Sequence, residues 1–205
     1  MKQLTLILLL LTAILAGGCA KVAEEAKYTV LKSEVSYELR QYEPQIVAET
    51  VVEGDFDEVG NQAFRILFNY ISGENRNNEK VSMTAPVSQE RDGEKISMTA
   101  PVNQEQRGDR WSITFLMPSS YTIQTLPVPL DDRIQLREIP GRLMAAITYS
   151  GRWKHEFYEE HRKKLLEWIK VQELVPAGEA VYARHNPPFT PWFMRRNEVL
   201  IPVEK

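Results

Sequence analysis

The sequence predicts a single α+β domain, in which two related β-α-β-β units form one curved antiparallel sheet, or a distorted barrel, with two flanking helices. Three observations lead to this fold class. An eleven-residue segment occurs twice at an offset of fifteen residues, with nine identical positions. The chain from about residue 39 also resembles itself at an offset of 97 residues. Each half contains one amphipathic helical stretch among strand-like stretches with alternating apolar residues.

Residues 1–18 are predicted to be a signal peptide, because a cationic start with Lys2 precedes an uncharged apolar run over 4–15. The run is too short to span a bilayer as a mature helix. Small residues that end in Cys19 resemble the signal of bacterial lipoproteins, which implies that Cys19 is lipidated and anchors the chain to a membrane. The alternative is an ordinary signal peptide with an incidental cysteine. Residues 19–27 then form a short charged tether.

The lipoprotein resemblance implies a location in the bacterial cell envelope. Ala20 stands where an aspartate commonly retains lipoproteins at the inner membrane, so the expected location is the periplasmic side of the outer membrane. Cys19 is the only cysteine, which excludes disulfides, thiolate metal sites and a cysteine nucleophile from the folded domain. Removal of residues 1–18 leaves 24 basic and 28 acidic side chains, a balance that argues against nucleic-acid binding.

The first half of the domain begins at residue 28. Alternating and β-branched residues predict strands over 28–31, 35–42 and 46–52. A helix is predicted over 56–72, with Gly73 as its C-terminal stop. Its apolar stripe consists of Phe56, Val59, Ala63, Ile66, Leu67 and Tyr70, with an adjoining stripe of Phe64, Phe68 and Ile71. This apolar arc is wider than packing against one sheet requires.

The doubled segment occupies residues 80–90 and 95–105. Each copy alternates like a strand, and Arg91-Asp92-Gly93 between them is typical of a turn, so a long hairpin is predicted. Pro86 and Pro101 each lack a backbone donor, so both copies are expected to leave regular pairing there. The alternative is a simple local duplication of a hairpin with no role in ligand binding.

The second half repeats the first. A strand over 111–117 and a proline-containing connection over 118–132 lead to residues that align with the first half. The offset of 97 places Leu39-Arg40 on Leu136-Arg137, and Gly54 on Gly151. Arg40 and Arg137 are expected to make structural pairs with backbone or carboxylates. A helix is predicted over 153–172, and strands over 181–185 and 198–203 end the domain.

Three motifs resemble the SOUL haem-binding protein family. They are the doubled Met-Thr-Ala-Pro-Val, the opening Tyr-Glu-Leu-Arg-Gln-Tyr over 37–42, and the ending in which Pro187-Pro188 precedes Arg-Arg-Asn-Glu-Val over 195–199. The resemblance covers about residues 28–203, and 28–205 is therefore taken as one domain. It implies a pseudo-twofold α+β barrel related to bacterial effector-binding domains. It also implies binding of haem or another tetrapyrrole, without a settled enzymatic reaction.

The resemblance further implies an apolar cleft between the first helix and the Pro-Pro loop. Gln41 stands at the position proposed for an axial histidine in some members, and an amide is a poor iron ligand. Asn61, Asn69 and Thr190 stand at positions that can be basic in the family, so arginines nearby are expected to replace them. The expected cofactor-binding residues are Phe64, Arg65, Phe68, Phe189, Trp192, Phe193, Met194 and Arg195. The alternative for the aromatic loop is ordinary core over the open end of the barrel.

The remaining donor residues are not expected to bind metal. His155 and His161 are six residues apart, whereas a helical zinc pair needs four, which predicts a solvated helix surface. Met83 and Met98 are expected to be apolar filler on strands. His185 precedes the Pro-Pro loop, and a structural role is expected for it although it is well placed to reach a ligand.

The predicted function is non-enzymatic binding of haem or a related tetrapyrrole by a monomeric, lipid-anchored protein of the cell envelope. One alternative is an effector-binding module for another flat apolar small molecule. The other is a tetrapyrrole-modifying enzyme, which the sequence supports little, because it shows no serine-nucleophile motif, no recognisable carboxylate pair and no phosphate loop. No catalytic residues are predicted.

Overall fold

The computed structural model describes residues 23–77 and 93–205, and the structural statements below refer to these residues. The elements are β1 Glu24–Glu25, β2 Tyr28–Glu34, β3 Tyr37–Tyr42, β4 Gln45–Glu53, α1 Phe56–Ile71, β5 Asn75–Arg76, β6 Thr99–Ala100, β7 Val102–Arg107, β8 Arg110–Leu116, β9 Val128–Pro129, β10 Ile134–Ile139, β11 Leu143–Tyr149, α2 His155–Val171, β12 Val175–Pro176, β13 Val181–Arg184 and β14 Asn197–Glu204. A 3-10 turn covers Trp192–Met194.

One large antiparallel sheet dominates the fold. Its strand order is β10-β4-β8-β7-β13-β14-β11-β3-β2, and β12 pairs with β14. The order is symmetric about the β7-β13 pair, because strands of the first half lie at positions mirrored by their counterparts in the second half. The corresponding strands are β3 and β10, β4 and β11, β7 and β13, and β8 and β14. The offset of 97 residues carries β3 onto β10 with identical bounds. The predicted α+β class, with duplicated units, a curved antiparallel sheet and two helices, is confirmed.

Each β-α-β-β unit is preceded by one further strand, which pairs with the other unit. β3 of the first half pairs with β11 of the second, and β10 of the second half pairs with β4 of the first. The two units are therefore joined by β10 on the side of the sheet formed by the first unit and by β3 on the side formed by the second. Residue alternation shows that β3 and β10 are strands, but it does not show which unit they join.

The two helices cover one face of the sheet. Phe56 at the start of α1 lies at the centre of this core, where its ring meets Trp111, Tyr158 and Tyr182 edge-on at centroid distances of 5.1 to 5.2 Å. The opposite face has a smaller apolar cluster of Met144, Ala146, Val181, Ala183 and Leu200. α1 ends one residue before its predicted end, and Gly73 follows with a φ of +117°, a conformation that favours glycine.

Only the second copy of the doubled segment lies within the described residues. Regular pairing is interrupted at Pro101, as predicted, because β6 ends at Ala100 and β7 begins at Val102. The Ala100–Pro101 bond is cis, and β6 pairs in parallel with β1. The first copy, with Met83 and Pro86, lies outside the described residues, so the predicted hairpin between the copies stays a prediction. Cys19 and the leader lie outside them as well.

The repeated arginines make ion pairs with carboxylates, as predicted, and the pair of Arg40 is buried whereas Arg137 is partly exposed. Arg40 donates to both carboxylate oxygens of Glu198 at 2.9 and 3.0 Å, and both side chains are almost fully buried. Arg137 contacts Glu49 at 2.8 and 2.9 Å. Burial alone would raise the pKa of Glu198, but His185 and Arg40 beside it outweigh burial and hold the pKa well below its usual range. These pairs stabilise the sheet on the face away from the helices.

None of the helices in the described ranges 23–77 and 93–205 is both long and apolar enough to cross a membrane.

Candidate functional site

A cavity of about 440 Å³ lies between α1 and the loop that follows β13. This volume is within the range of roughly 300–1,000 Å³ typical of small-molecule sites. Phe68 and Met98 at its rim are exposed, so the cavity is open to solvent on that side. Its lining is mainly apolar and comes from α1, β6, β7 and β8, with Trp153 and the Pro187-Pro188 pair opposite. The cleft that the family resemblance implied is therefore present in the structure.

Two phenylalanines of α1 form one wall of the cavity. Phe64 and Phe68 are four residues apart, so they lie on the same side of the helix. Their rings are nearly parallel, with centroids 5.7 Å apart and an interplanar angle of 13°. Phe64 also meets Phe115 of β8 edge-on at 5.3 Å, which fixes its position. Two members of the adjoining apolar stripe of α1, Phe64 and Phe68, thus line the cavity, whereas the third, Ile71, is buried in the core.

Arg184 at the end of β13 is the arginine that lines the cavity, and the sequence analysis did not select it. Its Nη2 donates to Gln104 Oε1 at 3.0 Å, while its buried Nε has no hydrogen-bond partner. Its guanidinium lies 5.4 Å from the Trp153 ring. No carboxylate oxygen of the described residues lies within 4.0 Å of its guanidinium nitrogens, so it forms no ion pair with them. Arg184 therefore brings an uncompensated positive charge to an apolar cavity.

Gly60 makes room for this arginine. A Cβ atom at position 60 would lie 3.2 Å from Nη2 and 2.8 Å from Nη1 of Arg184, and the second distance is shorter than real Cβ contacts, so the guanidinium would have to move. Gln104 is itself held in place, since its Nε2 donates to the carbonyl of Phe56 at 3.2 Å. In sequence Arg184 is one polar residue at the end of a short strand. It carries no signal of its own without the cavity around it.

His185 lies at the edge of the cavity, between two carboxylates. Its Nε2 is 3.1 Å from Glu198 Oε2 and its Nδ1 is 3.6 Å from Glu25 Oε2. Neither nitrogen has a hydrogen-bond partner among the described residues. The contact with Glu198 is therefore an ion-pair distance without hydrogen-bond geometry. His185 is buried against the Arg40–Glu198 pair and also lines the cavity.

The predicted site residues separate into two groups. Phe64 and Phe68 line the cavity, whereas Arg65 is exposed and does not. Phe189, Trp192, Phe193 and Met194 are also outside the lining, with exposed fractions of 85%, 51%, 61% and 65%. These values contradict the alternative that the aromatic loop is ordinary core. The binding roles assigned to all eight residues stay predictions.

Arg195 supports the cavity wall from behind. Its guanidinium lies 4.0 Å from the centroid of Trp153, which lines the cavity. Its Nε and Nη2 donate to the carbonyls of Thr190 and Pro188, both at 2.8 Å. Arg195 is thus engaged with its own loop and a tryptophan ring. Of the three positions that can be basic in the family, Asn61 lines the cavity and Asn69 and Thr190 do not.

Within residues 23–77 and 93–205, no group of three or more His, Cys, Asp or Glu side chains could hold a metal ion. His155 stacks on Phe56 at 4.7 Å, and His161 stacks on Tyr149 at 3.6 Å. Of the side chains that line the cavity, Met98 and His185 carry the atoms that commonly bind transition metals, a thioether sulfur and an imidazole nitrogen. Gln41 does not line the cavity, and its amide donates to the Tyr42 carbonyl at 3.3 Å.

The described residues form an α+β half-barrel with an apolar cavity of the size of a small-molecule site, which Arg184 lines without a carboxylate partner among them. The model of the family described as SOUL heme-binding protein matches residues 23–202, so the chain belongs to the SOUL family. Heme-binding protein 1 from Xenopus laevis is 27% identical over 169 residues, which cover 82% of this chain and 84% of that protein.

Solved structures share the architecture at low sequence identity. The EcmrR C-terminal domain is 10% identical with a TM-score of 0.60, and the match covers 87% of this chain and 98% of that one. A hydrolase from Listeria innocua is 11% identical with a TM-score of 0.58, and the match covers 85% and 94% of the two chains. These likenesses show the fold alone.

Proposed function

We propose that this protein binds haem or a related tetrapyrrole in the cavity between α1 and the Pro-Pro loop, without changing the ligand chemically. One observation carries the proposal. Within a cavity of about 440 Å³, the stacked Phe64–Phe68 wall shares an apolar lining with Arg184, whose charge no carboxylate of the described residues compensates. A flat apolar ring with a carboxylate substituent matches both features. Membership of the SOUL family supports this ligand class.

The residues present fit a porphyrin in chemical type. Phe64, Phe68 and Trp153 offer aromatic faces and edges to a flat ring, and such contacts add to the area that binding buries. Arg184 lines the cavity without a carboxylate partner among the described residues and can donate to a propionate, since a guanidinium pairs well with a carboxylate. A bound haem would supply an iron centre. Met98 and His185 are the cavity side chains whose donor atoms suit iron.

The proposal also places the chain at the cell envelope through a lipid on Cys19. The apolar run over 4–15 and the small residues before Cys19 support this attachment. Mass spectrometry of the purified protein tests it directly. We expect an N-terminal peptide that begins at a lipidated Cys19, and Cys19→Ser is expected to remove the modification. An unmodified Cys19 within an intact leader would contradict the anchor but not the binding site.

Absorption titration with haemin tests the binding function. The purified full chain is expected to shift the Soret band and to saturate at one haemin per chain. The double variant F64A/F68A removes the stacked wall and is expected to weaken binding. V171A removes an exposed apolar side chain of α2 outside the cavity and serves as the control. No Soret shift at micromolar protein, or equal affinity of F64A/F68A and wild type, would refute the proposal.

A specific observation favours a second candidate, another flat apolar molecule with a single acidic group. Arg184 is the basic side chain of the described lining, whereas a haem carries two propionates. A panel of planar acids tested by thermal shift distinguishes the two ligands, because a ligand that binds only the native state raises the melting temperature. Stabilisation by such an acid without haemin binding would select this candidate. Conversion of haemin in the presence of a reductant would instead indicate an enzyme.

A further inference from the structure

The loop over residues 187–194, here called the apolar loop, holds large apolar side chains in solvent. Its own backbone fixes its shape, because the Thr190 amide donates to the Pro187 carbonyl at 3.0 Å and the Met194 amide donates to the Pro191 carbonyl at 2.9 Å. Arg195 closes the loop through the Pro188 and Thr190 carbonyls. The exposed side chains Phe189, Trp192, Phe193 and Met194 therefore stand out from a preformed turn. A contiguous exposed apolar group of this kind marks an interaction surface.

The chain upstream of the domain reaches the structure beside this loop. Ala23 lines the same cavity as Pro187 and Pro188. Two residues later, Glu25 binds Arg196, the second residue after the loop, at 3.0 Å. Cys19 is four residues before Ala23, so the two Cα atoms are separated by at most about 14 Å. The apolar run over 4–15 ends eight residues before Ala23. A membrane that holds the lipid proposed on Cys19 therefore lies near the apolar loop, and this step rests on that proposed anchor.

The composition of this surface suits a lipid interface. Tryptophan prefers the boundary between hydrocarbon and headgroups, where its ring is buried and its N–H stays hydrated. Arg152 lies over the Trp192 ring at 5.7 Å, and its exposed position allows its charge to reach anionic headgroups. Arg195 adds a second cation behind the loop. Apolar tips with cations behind them are typical of surfaces that enter a bilayer to the depth of the headgroups.

We propose that the apolar loop docks on a lipid bilayer, with Phe189, Trp192, Phe193 and Met194 inserted at the interface. This inference goes beyond ligand binding and does not require haem. Pro187 and Pro188 belong both to the cavity lining and to the loop, so docking turns this rim of the cavity towards the bilayer. An apolar ligand dissolved in the membrane then reaches the cavity over a short path.

Quenching of tryptophan fluorescence by brominated lipids tests the docking. The purified full chain is reconstituted from detergent into vesicles of anionic and zwitterionic phospholipid. Of the four tryptophans, Trp111 and Trp168 are buried in the core and Trp192 is exposed on the loop. We expect strong quenching in the wild type and loss of most of it in W192F. Equal quenching in W192F and the wild type would overturn the proposal.

A second variant removes the apolar surface and keeps the tryptophan. F189S/F193S/M194S is expected to lose quenching of Trp192, whereas L31S/V171S/V175S, which replaces exposed apolar residues elsewhere, is expected to keep it. In a Cys19→Ser background, the loop substitutions are expected to lower the vesicle partition coefficient by at least about tenfold. A Cys19→Ser protein that never contacts vesicles would overturn the docking.

Two further outcomes are distinguishable. Bilayer docking is overturned if brominated lipids do not quench the tryptophan fluorescence and the protein is a dimer that dissociates in F189S/F193S/M194S. This result would identify the apolar loop as an interface between copies of this chain. Haemin titration of the wild type provides the separate readout for ligand binding. Normal quenching with no haemin binding would refute the proposed ligand and support the docking surface.

Discussion

Replacement of Arg184 by methionine removes the unpaired charge from the cavity with little change in side-chain length. The guanidinium has one hydrogen bond in the described structure, to Gln104 at 3.0 Å, and takes part in none of its ion pairs. Little of the folding free energy therefore depends on it. Arg184→Met is expected to fold normally and to lose the interaction with an acidic ligand, because methionine fills irregular space without a charge.

The size of the loss follows from the contact that Arg184 can make. A hydrogen bond to a charged group contributes about 1.5–3 kcal/mol. Since about 1.4 kcal/mol changes an affinity tenfold, the corresponding weakening is roughly 10- to 150-fold. Arg184 is only half-buried, and solvent screening therefore places the expectation near the lower end, at roughly tenfold. Arg184→Lys keeps the charge but has no planar fork, so an intermediate affinity is expected.

The assay compares haemin with haemin dimethyl ester by absorption titration. The wild type is expected to prefer the free acid, and Arg184→Met is expected to bind acid and ester with similar affinity. Arg152→Met removes an exposed arginine outside the cavity lining and should keep the wild-type preference. A thermal melt of each variant checks folding. If folded Arg184→Met keeps the preference for the acid, the assignment of Arg184 as the anion partner is wrong.

Glu198→Gln removes the carboxylate that buried Arg40 shares with Arg196, while Glu38 still pairs with Arg40 at 2.7 Å, so it is expected to cost about 3 kcal/mol in urea unfolding, whereas Glu204→Gln on the exposed end of β14 should cost little. Because the folded pKa of Glu198 is lowered, the stability contributed by its carboxylate is present above the unfolded pKa of about 4.3 and is lost as the pH falls from there towards the folded pKa. The difference in unfolding free energy between wild type and Glu198→Gln should therefore narrow in acid. A gap that widens would contradict this ion pair. Asn75→Ala loses bonds of 2.8 to 2.9 Å to Tyr70 and Glu94 and is expected to cost about 2–4 kcal/mol, with exposed Asn77→Ala as control. Equal stability of both asparagine variants would refute the role of Asn75.

Repetition made the fold predictable from the sequence. The offset of 97 residues identified β10 as the counterpart of β3, and Arg137 as the counterpart of Arg40. Alternation and helical periodicity placed β3, β4, β8, β13, β14 and both helices within about two residues of their observed bounds, whereas β2 extends three residues beyond its predicted end and β11 had no predicted bounds. The exchange of β3 and β10 between the two units was not predictable, because the alternation of a strand does not specify its neighbour.

The site was predictable only in part. The second apolar stripe of α1 indicated Phe64 and Phe68, because a helix that packs on one sheet needs only one stripe. Arg184 was missed, because the sequence does not show that the absence of a side chain at Gly60 leaves room for its guanidinium. Arg195 was selected for its charge, but its donors are directed to the carbonyls of its own loop. The sequence shows which charged side chains are present, whereas the fold determines which of them already have a hydrogen-bond or ion-pair partner.

Haemin titration of Gly60→Leu tests most directly that the cavity is the binding site. A leucine side chain at position 60 would displace the guanidinium of Arg184 and occupy part of the cavity beside the Phe64–Phe68 wall, since its Cβ alone would lie 2.8 Å from Nη1. Gln62→Leu adds the same side chain at an exposed position of α1 outside the cavity lining. We expect saturable binding of one haemin by the wild type and Gln62→Leu, and no binding by folded Gly60→Leu. Wild-type affinity in folded Gly60→Leu would contradict the account.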